Sequence, residues 1–258
     1  MKKLITSSYS DKGDIRKENQ DSILCLTGMV GKYRSGLFVV ADGCGGMKNG
    51  EKISRLVTRE LKLVWEKQLP DIVAGKRFNR FDIESMLDGA IDRINRKAVK
   101  LCKDTGEKGG STVSLILMLG VRYFIRHAGD SRIYRVRYGI KQLTEDQTLV
   151  ADMVRRCEIT AEEARTHRKK NVLNMCIGYF DKVKLYKASG FIHRCDEFII
   201  CSDGLYNCIS EKQLRSFVRH QRTADYGAGA ERLRRRIPEG AARDNVSVIL
   251  VRCKGWYL

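Results

Sequence analysis

Residues 111–137 read STVSLILMLGVRYFIRHAGDSRIYRVR. They contain three short apolar runs, at 111–119, 121–127 and 131–137, with only a glycine or a few small residues between them. Runs of this length and spacing read as consecutive β-strands. Similar runs occur at 22–27, 36–41, 196–202 and 245–252. Upstream, Ile53, Leu56, Val57, Leu61 and Val64 recur at helical spacing, as do Ile83, Met86, Leu87, Ala90, Ile91, Ile94 and Leu101. These two amphipathic helices arrive back to back between groups of strands. Thr160-Ala-Glu-Glu163 and Ser210-Glu-Lys-Gln213 carry the capping-box signature of two later helices. Strands in series, interrupted by helix pairs, predict an α+β protein built on an antiparallel β-sandwich covered by helices, not a βαβ parallel sheet.

The chain has 258 residues, two prolines and no low-complexity linker or internal repeat, so residues 1–258 are expected to form a single domain. No run approaches the roughly 18 unbroken apolar residues of a membrane helix. The opening MKKLITSSYSDKGD has lysines at positions 2 and 3 but no apolar stretch after them, unlike a secretion signal. The expectation is a cytoplasmic protein without membrane contact. The nine cysteines include no C-x-x-C pair and read as free thiols in a reducing compartment. His193, Cys195, Cys201 and Cys208 fit no common zinc spacing. The formal charge of +18, with clusters at Arg155-Arg156, His167–Lys170 and Arg232–Arg236, favours anionic partners. The basic runs lack interleaved aromatics and match no nucleic-acid-binding motif, so no specific nucleic acid is expected.

The chemistry concentrates in aspartates at strand edges. Asp42 ends the run Gly36–Ala41 and precedes Gly43-Cys44-Gly45-Gly46; Asp203 ends Phe198–Ser202 and precedes Gly204. Asp130 follows Phe124–Gly129, Asp244 opens Asn245–Val251, and Asp21 lies just before the strand at 22. A carboxylate at a strand end is held by the sheet yet points beyond it. Several at one rim would offer the oxygen ligands that Mg²⁺ or Mn²⁺ prefer. Either Asp-Gly alone reads first as a turn dipeptide; five aspartates placed before or after apolar strands make that account weak. Other phosphate chemistries fail on spacing. No cysteine has an arginine six positions on, there is no D-x-D, and Gly106–Thr112 misplaces the lysine of a phosphate loop.

Taken in order, Gly13–Ser22, Val40–Gly46, Gly109–Thr112, His127–Arg132, Leu143–Asp146, Ile159–Ala164, Ser202–Leu205 and Asp244–Ser247 resemble the type-2C, metal-dependent (PPM) Ser/Thr protein phosphatases, in particular their compact bacterial members. The eight stretches span nearly the whole chain. The resemblance implies a central β-sandwich flanked on both faces by pairs of antiparallel helices, with a small flap subdomain at about 147–178 that helps select substrates. It implies that Asp42 bridges two metal ions and that Gly43 adds its carbonyl. Asp203 and Asp244 complete the core site, Asp21 holds metal-bound water, and Asp130 helps bind the third ion that bacterial members often carry. Arg16 grips the substrate phosphate, where a guanidinium makes the bidentate contact lysine cannot.

The implied activity is hydrolysis of phosphoserine and phosphothreonine by a metal-activated water, without a covalent intermediate. Phosphorylated proteins are then the substrates, and a cognate Ser/Thr kinase sharing them is the expected partner; a monomer is the default. The rival reading is a catalytically silent module of the same fold, which would usually have lost metal aspartates. Three departures from the pattern stand out. Cys44 replaces the histidine of animal relatives and is expected only to line the site, Gln20 replaces a common glutamate, and Gln147-Thr148 stands where His-Ser is frequent.

Overall fold

The computed structural model describes residues 3–44, 49–75 and 79–255; Gly45 and Gly46 of the glycine-rich motif lie outside the described residues. The strands are β1 (Lys3–Asp11), β2 (Ser22–Val30), β3 (Tyr33–Ala41), β4 (Val113–Leu119), β5 (Arg122–Ala128), β6 (Arg132–Val136), β7 (Ile140–Gln142), β8 (Tyr186–Phe191), β9 (Glu197–Cys201) and β10 (Val246–Lys254). They form two five-stranded sheets, ordered β1-β10-β9-β6-β7 and β2-β3-β4-β5-β8, with antiparallel pairing throughout.

The sheets pack face to face. Phe38, Val40, Ile116, Ile125, Phe198, Ile200, Ile249 and Val251 fill the layer between them. Alternate residues of the same strands point outward under helices, because successive side chains of a strand face opposite ways. Leu37, Val39, Leu115 and Leu117 meet Ile53, Val57 and Leu61 of helix α1 (Gly50–Leu63). A single π turn, Val64–Gln68, leads from α1 into α2 (Leu69–Ala74). The same layer includes Ile83, Leu87, Ile91 and Ile94 of α3 (Arg80–Thr105). Central strands are therefore buried on both faces although antiparallel, β4 and β9 at every position.

The segment 147–178 carries α4 (Leu149–Arg155) and α5 (Ala161–Thr166), whose only buried residue is Val150. On the other sheet, Ile199, Val248 and Leu250 are covered by α6 (Asp203–Tyr206), α7 (Glu211–His220) and α8 (Gly229–Arg234) through Leu205, Leu214, Phe217 and Leu233. The capping boxes at Thr160 and Ser210 are both formed, each serine or threonine accepting from the backbone three residues on. Three strands escaped the sequence reading. β1 is rich in serine and pairs only with β10, β7 has three residues, and β8 is a polar strand at a sheet edge.

Candidate functional site

Strand register brings the aspartates to one rim. Ser22 pairs with Ala41, so Asp21 and Asp42 leave β2 and β3 side by side. Cys201 pairs with both Val248 and Arg132, which sets Asp203, Asp244 and Asp130 around the same end of the other sheet. The sheets are tied together here. The Asp42 N–H donates to Thr112 Oγ1 (2.9 Å), which bonds Ser131 Oγ at 2.8 Å. Ser202 Oγ donates to Asp21 Oδ2 at 2.9 Å.

Arg16, Asp42, Cys44, Thr112, Asp130, Asp203 and Asp244 line a cleft of about 440 Å³ together with Asn171, Val172, Leu173, Cys176, Tyr179 and Phe180. Asp21 stands behind Asp42 and Asp203, close enough for the three charges to repel. All five predicted aspartates and Arg16 thus come together. Arg16 sits on the loop between β1 and β2, and its Nη2 donates to Asp244 Oδ2 at 2.8 Å.

That loop is placed by Asn245, whose role the sequence reading missed. Its side-chain amide donates to the carbonyls of Lys12 (3.0 Å) and Glu18 (2.9 Å), and its Oδ1 accepts from the Gln20 N–H. Asp14 adds a second tie, accepting from Ala242 N and Arg234 Nη2. The glycines are explained by crowding. A Cβ on Gly43 would stand 2.6 Å from the Gln20 carbonyl oxygen and 2.7 Å from the backbone of Gly50, and one on Gly204 would stand 2.2 Å from the Asn245 oxygen. Neither is a turn glycine with positive φ; each lets two backbones touch behind an aspartate.

Other residues of the matching stretches are structural posts. His127 is fully buried, hydrogen-bonded to Ser114 Oγ (2.9 Å) and to the Glu145 carbonyl (3.1 Å), and burial pushes it down to about 4. It is a neutral imidazole at physiological pH. Arg132 holds Asp146 through paired contacts of 3.0 and 2.6 Å and lies over the Tyr206 ring, while Tyr206 OH donates to the Asp130 carbonyl. The loop carrying Asp130 is fixed from both sides.

The electrostatics are those of crowded anions that Arg16 and Arg132 offset only in part. Burial pushes Asp21 up to about 7, and burial together with the Asp244 charge pushes Asp203 up to about 6. Asp42 is raised well above the usual carboxylate range by burial, then by Asp21, Asp203, Asp130 and Asp244; Asp130 is raised by burial and Asp203. Asp21 Oδ1 is buried with no hydrogen-bond partner, a costly state for a carboxylate oxygen. Among the described residues, no three acidic, imidazole or thiol groups close on a single point as a finished coordination sphere would. Yet the orphaned oxygen, the mutual repulsion and the hard-oxygen donor set all fit dications. The Cys44 thiol, in the cleft lining, is raised by its hydrogen bond to Cys176 and by burial.

The family model for protein phosphatase 2C matches residues 6–246. The chain belongs to this protein phosphatase family. It is 29% identical over 247 residues to the serine/threonine phosphatase stp of Listeria innocua, covering 94% of this chain and 93% of that protein. Its structure resembles that of the serine/threonine phosphatase Stp1 from Staphylococcus aureus, with a TM-score of 0.86 and 26% identity over 98% of this chain and 96% of that one. It also resembles the catalytic domain of the phosphatase PstP solved with two manganese ions, with a TM-score of 0.81 and 26% identity over 98% of this chain and 100% of that one.

Proposed function

We infer that this chain is a metal-dependent protein phosphatase that hydrolyses phosphoserine and phosphothreonine in proteins. The observation that carries the reading is the set of five converging aspartates, held rigidly by two sheets with Arg16 beside them. A binding module of the same fold has no need to keep these carboxylates together against their own repulsion, so the silent reading is not favoured.

In this assignment Asp42, the Gly43 carbonyl, Asp203 and Asp244 hold two Mn²⁺ or Mg²⁺ ions. Asp21 positions water beside them, and Asp130 serves a third ion. Such ions, when bound, generate a nucleophile from water at neutral pH and neutralise charge on the phosphoryl group. The contribution of the chain itself is placement. Strand ends fix the carboxylates, and Thr112 and Ser202 fix Asp42 and Asp21 in turn. The Arg16 guanidinium, 42% exposed and directed into the cleft rim, binds phosphate oxygens bidentately. Residues 147–178, which supply Asn171, Val172, Leu173 and Cys176 to the cleft lining, act as a substrate-selecting flap within a single catalytic domain spanning residues 1–258.

No helix among the described residues is long and apolar enough to cross a membrane. A cytoplasmic monomer that shares substrates with a Ser/Thr kinase completes the reading. The test is hydrolysis of a phosphothreonine peptide with Mn²⁺ or Mg²⁺, with EDTA, and in Asp203→Ala. Activity that requires the metal and collapses in the variant is expected. A folded wild-type protein inert with every dication would overturn the assignment.

A further inference from the structure

The cleft lining supplied by residues 171–180 is bracketed in sequence by unneutralised cations. Arg165, Arg168, Lys169 and Lys170 are exposed and immediately precede the lining residues Asn171–Leu173; Lys182 and Lys184 are exposed and follow Tyr179 and Phe180. Among the described residues none of these six side chains has an ion pair or hydrogen bond. The nearby acids are mostly committed within the segment. Asp152 is taken by Arg155 and Asn174, Glu158 pairs with Arg156, and Glu163 closes the capping box with Thr160. Within residues 147–184 only Glu162 and Asp181 remain exposed and unpaired, and with Glu145 just outside that segment three free acids stand against the six cations. The positions are also set. Lys170 N donates to the His167 carbonyl and Val172 N to the Lys169 carbonyl, so the basic turn leads directly into the cleft lining.

We propose that this basic rim is a docking surface for acidic sequence flanking the phosphorylated residue, so that the preferred substrates are phosphoproteins with Asp- or Glu-rich stretches beside the phosphosite. The proposal rests on the reading of the cleft as a phosphoprotein site and names its substrate class. Arg168 lies five residues from Leu173 and cannot stand farther from it than about 17 Å. The basic turn therefore stays beside the cleft lining, within reach of residues that flank the phosphoresidue. The phosphate itself is taken by Arg16, so the phosphate and its flanking sequence are read by separate groups. Complementary charge of this kind raises association rate and selectivity while remaining sensitive to salt.

The test uses fluorescent phosphothreonine peptides with the same core and either glutamate or lysine flanks. Their binding to the full chain is measured by anisotropy in EDTA, where turnover cannot interfere. The acidic peptide should bind about tenfold tighter at low salt, with the margin narrowing as salt rises. The triple variant Arg168→Glu, Lys169→Glu, Lys170→Glu should lose that margin. Because the whole chain is basic, a second triple variant, Lys212→Glu, Arg222→Glu, Lys254→Glu, makes the same change of charge at residues that do not line the cleft and should keep most of it. Equal affinities in the wild type, a preference surviving the first variant, or equal loss in both variants would overturn the proposal. Hydrolysis of the same peptides with Mn²⁺ is run in parallel. Absence of all turnover would count against the phosphatase reading, while the anisotropy still decides the docking surface.

Discussion

Strand β9 carries buried acids at both ends, and the two ends treat them in opposite ways. At its start, Asp196 is fully buried and gripped by Arg137 at 2.5 and 2.8 Å. The neighbouring Glu197 meets Arg252 at 3.1 Å and accepts from Tyr226 OH. Past its other end, Asp203 faces Asp21, Asp42, Asp130 and Asp244 with Arg16 as the one cation among the causes acting on it. Five residues of strand separate a neutralised, structural pair from a cluster whose charge is only partly compensated. A buried acid with its own arginine holds the fold; five carboxylates crowded together with only Arg16 and Arg132 to offset them suit cations. Neutralisation, not burial, separates scaffold from chemistry here.

The comparison can be broken first at the rim. Asp42→Asn should lower metal-dependent turnover of a phosphothreonine peptide by more than about 10²-fold, since even outer partners of metal ligands commonly cost 10–100-fold. The same variant should melt higher than wild type in EDTA, because one repelling charge is gone. A lower metal-free melting temperature would contradict the picture of partly compensated charge. At the opposite end of β9, Arg137→Ala leaves Asp196 buried without its partner and should cost about 3–5 kcal/mol of unfolding free energy. Denaturant titration measures that loss, and turnover per folded molecule should persist.

pH provides a smaller and two-signed effect. Asp21 and Asp203 sit at about 7 and about 6, above their ordinary value of 3.8. The folded state therefore binds more protons than the unfolded one between those limits. Their favourable contribution is complete below about pH 4 and is lost as pH rises through 6 to 7. Metal-free protein should accordingly lose stability across that window, and Mn²⁺ should restore it. His127 acts with the other sign. Held at about 4 against an ordinary 6.5, it supports the fold above pH 6.5 and withdraws that support as pH falls through 4. Melting curves in EDTA across pH should show the upper limb flattened in Asp42→Asn and the lower limb unchanged. The smallest effect is expected at Arg16→Lys, which keeps the charge but loses the bidentate fork; KM for the phosphopeptide should rise by roughly tenfold.

Much of this site was written in the sequence because strand ends are. Runs such as Gly36–Ala41 and Phe198–Ser202 are continuous apolar stretches, and the aspartate that stops each is visible as a break. What could not be read is whatever depends on packing between distant segments. β1 spends serines on a ladder with β10, and Ser7 Oγ donates to the Gly227 carbonyl far along the chain, so its polarity disguised a strand. Asn245 looked like the first residue of a strand, yet its contacts reach Lys12, Glu18 and Gln20, which no local pattern announces. The glycines after Asp42 and Asp203 also mark where one backbone presses on another, a long-range contact that no local pattern announces.

That last point makes the centre a device keyed by missing atoms. A single methyl group at position 43 or 204 would wedge the aspartate-bearing turn off its neighbour, and one at Gly13 would meet the Asp244 carbonyl at 2.1 Å. Alanine at any of these three positions in a related chain is thus a cheap diagnostic of a dismantled centre, readable even where every aspartate is still in place.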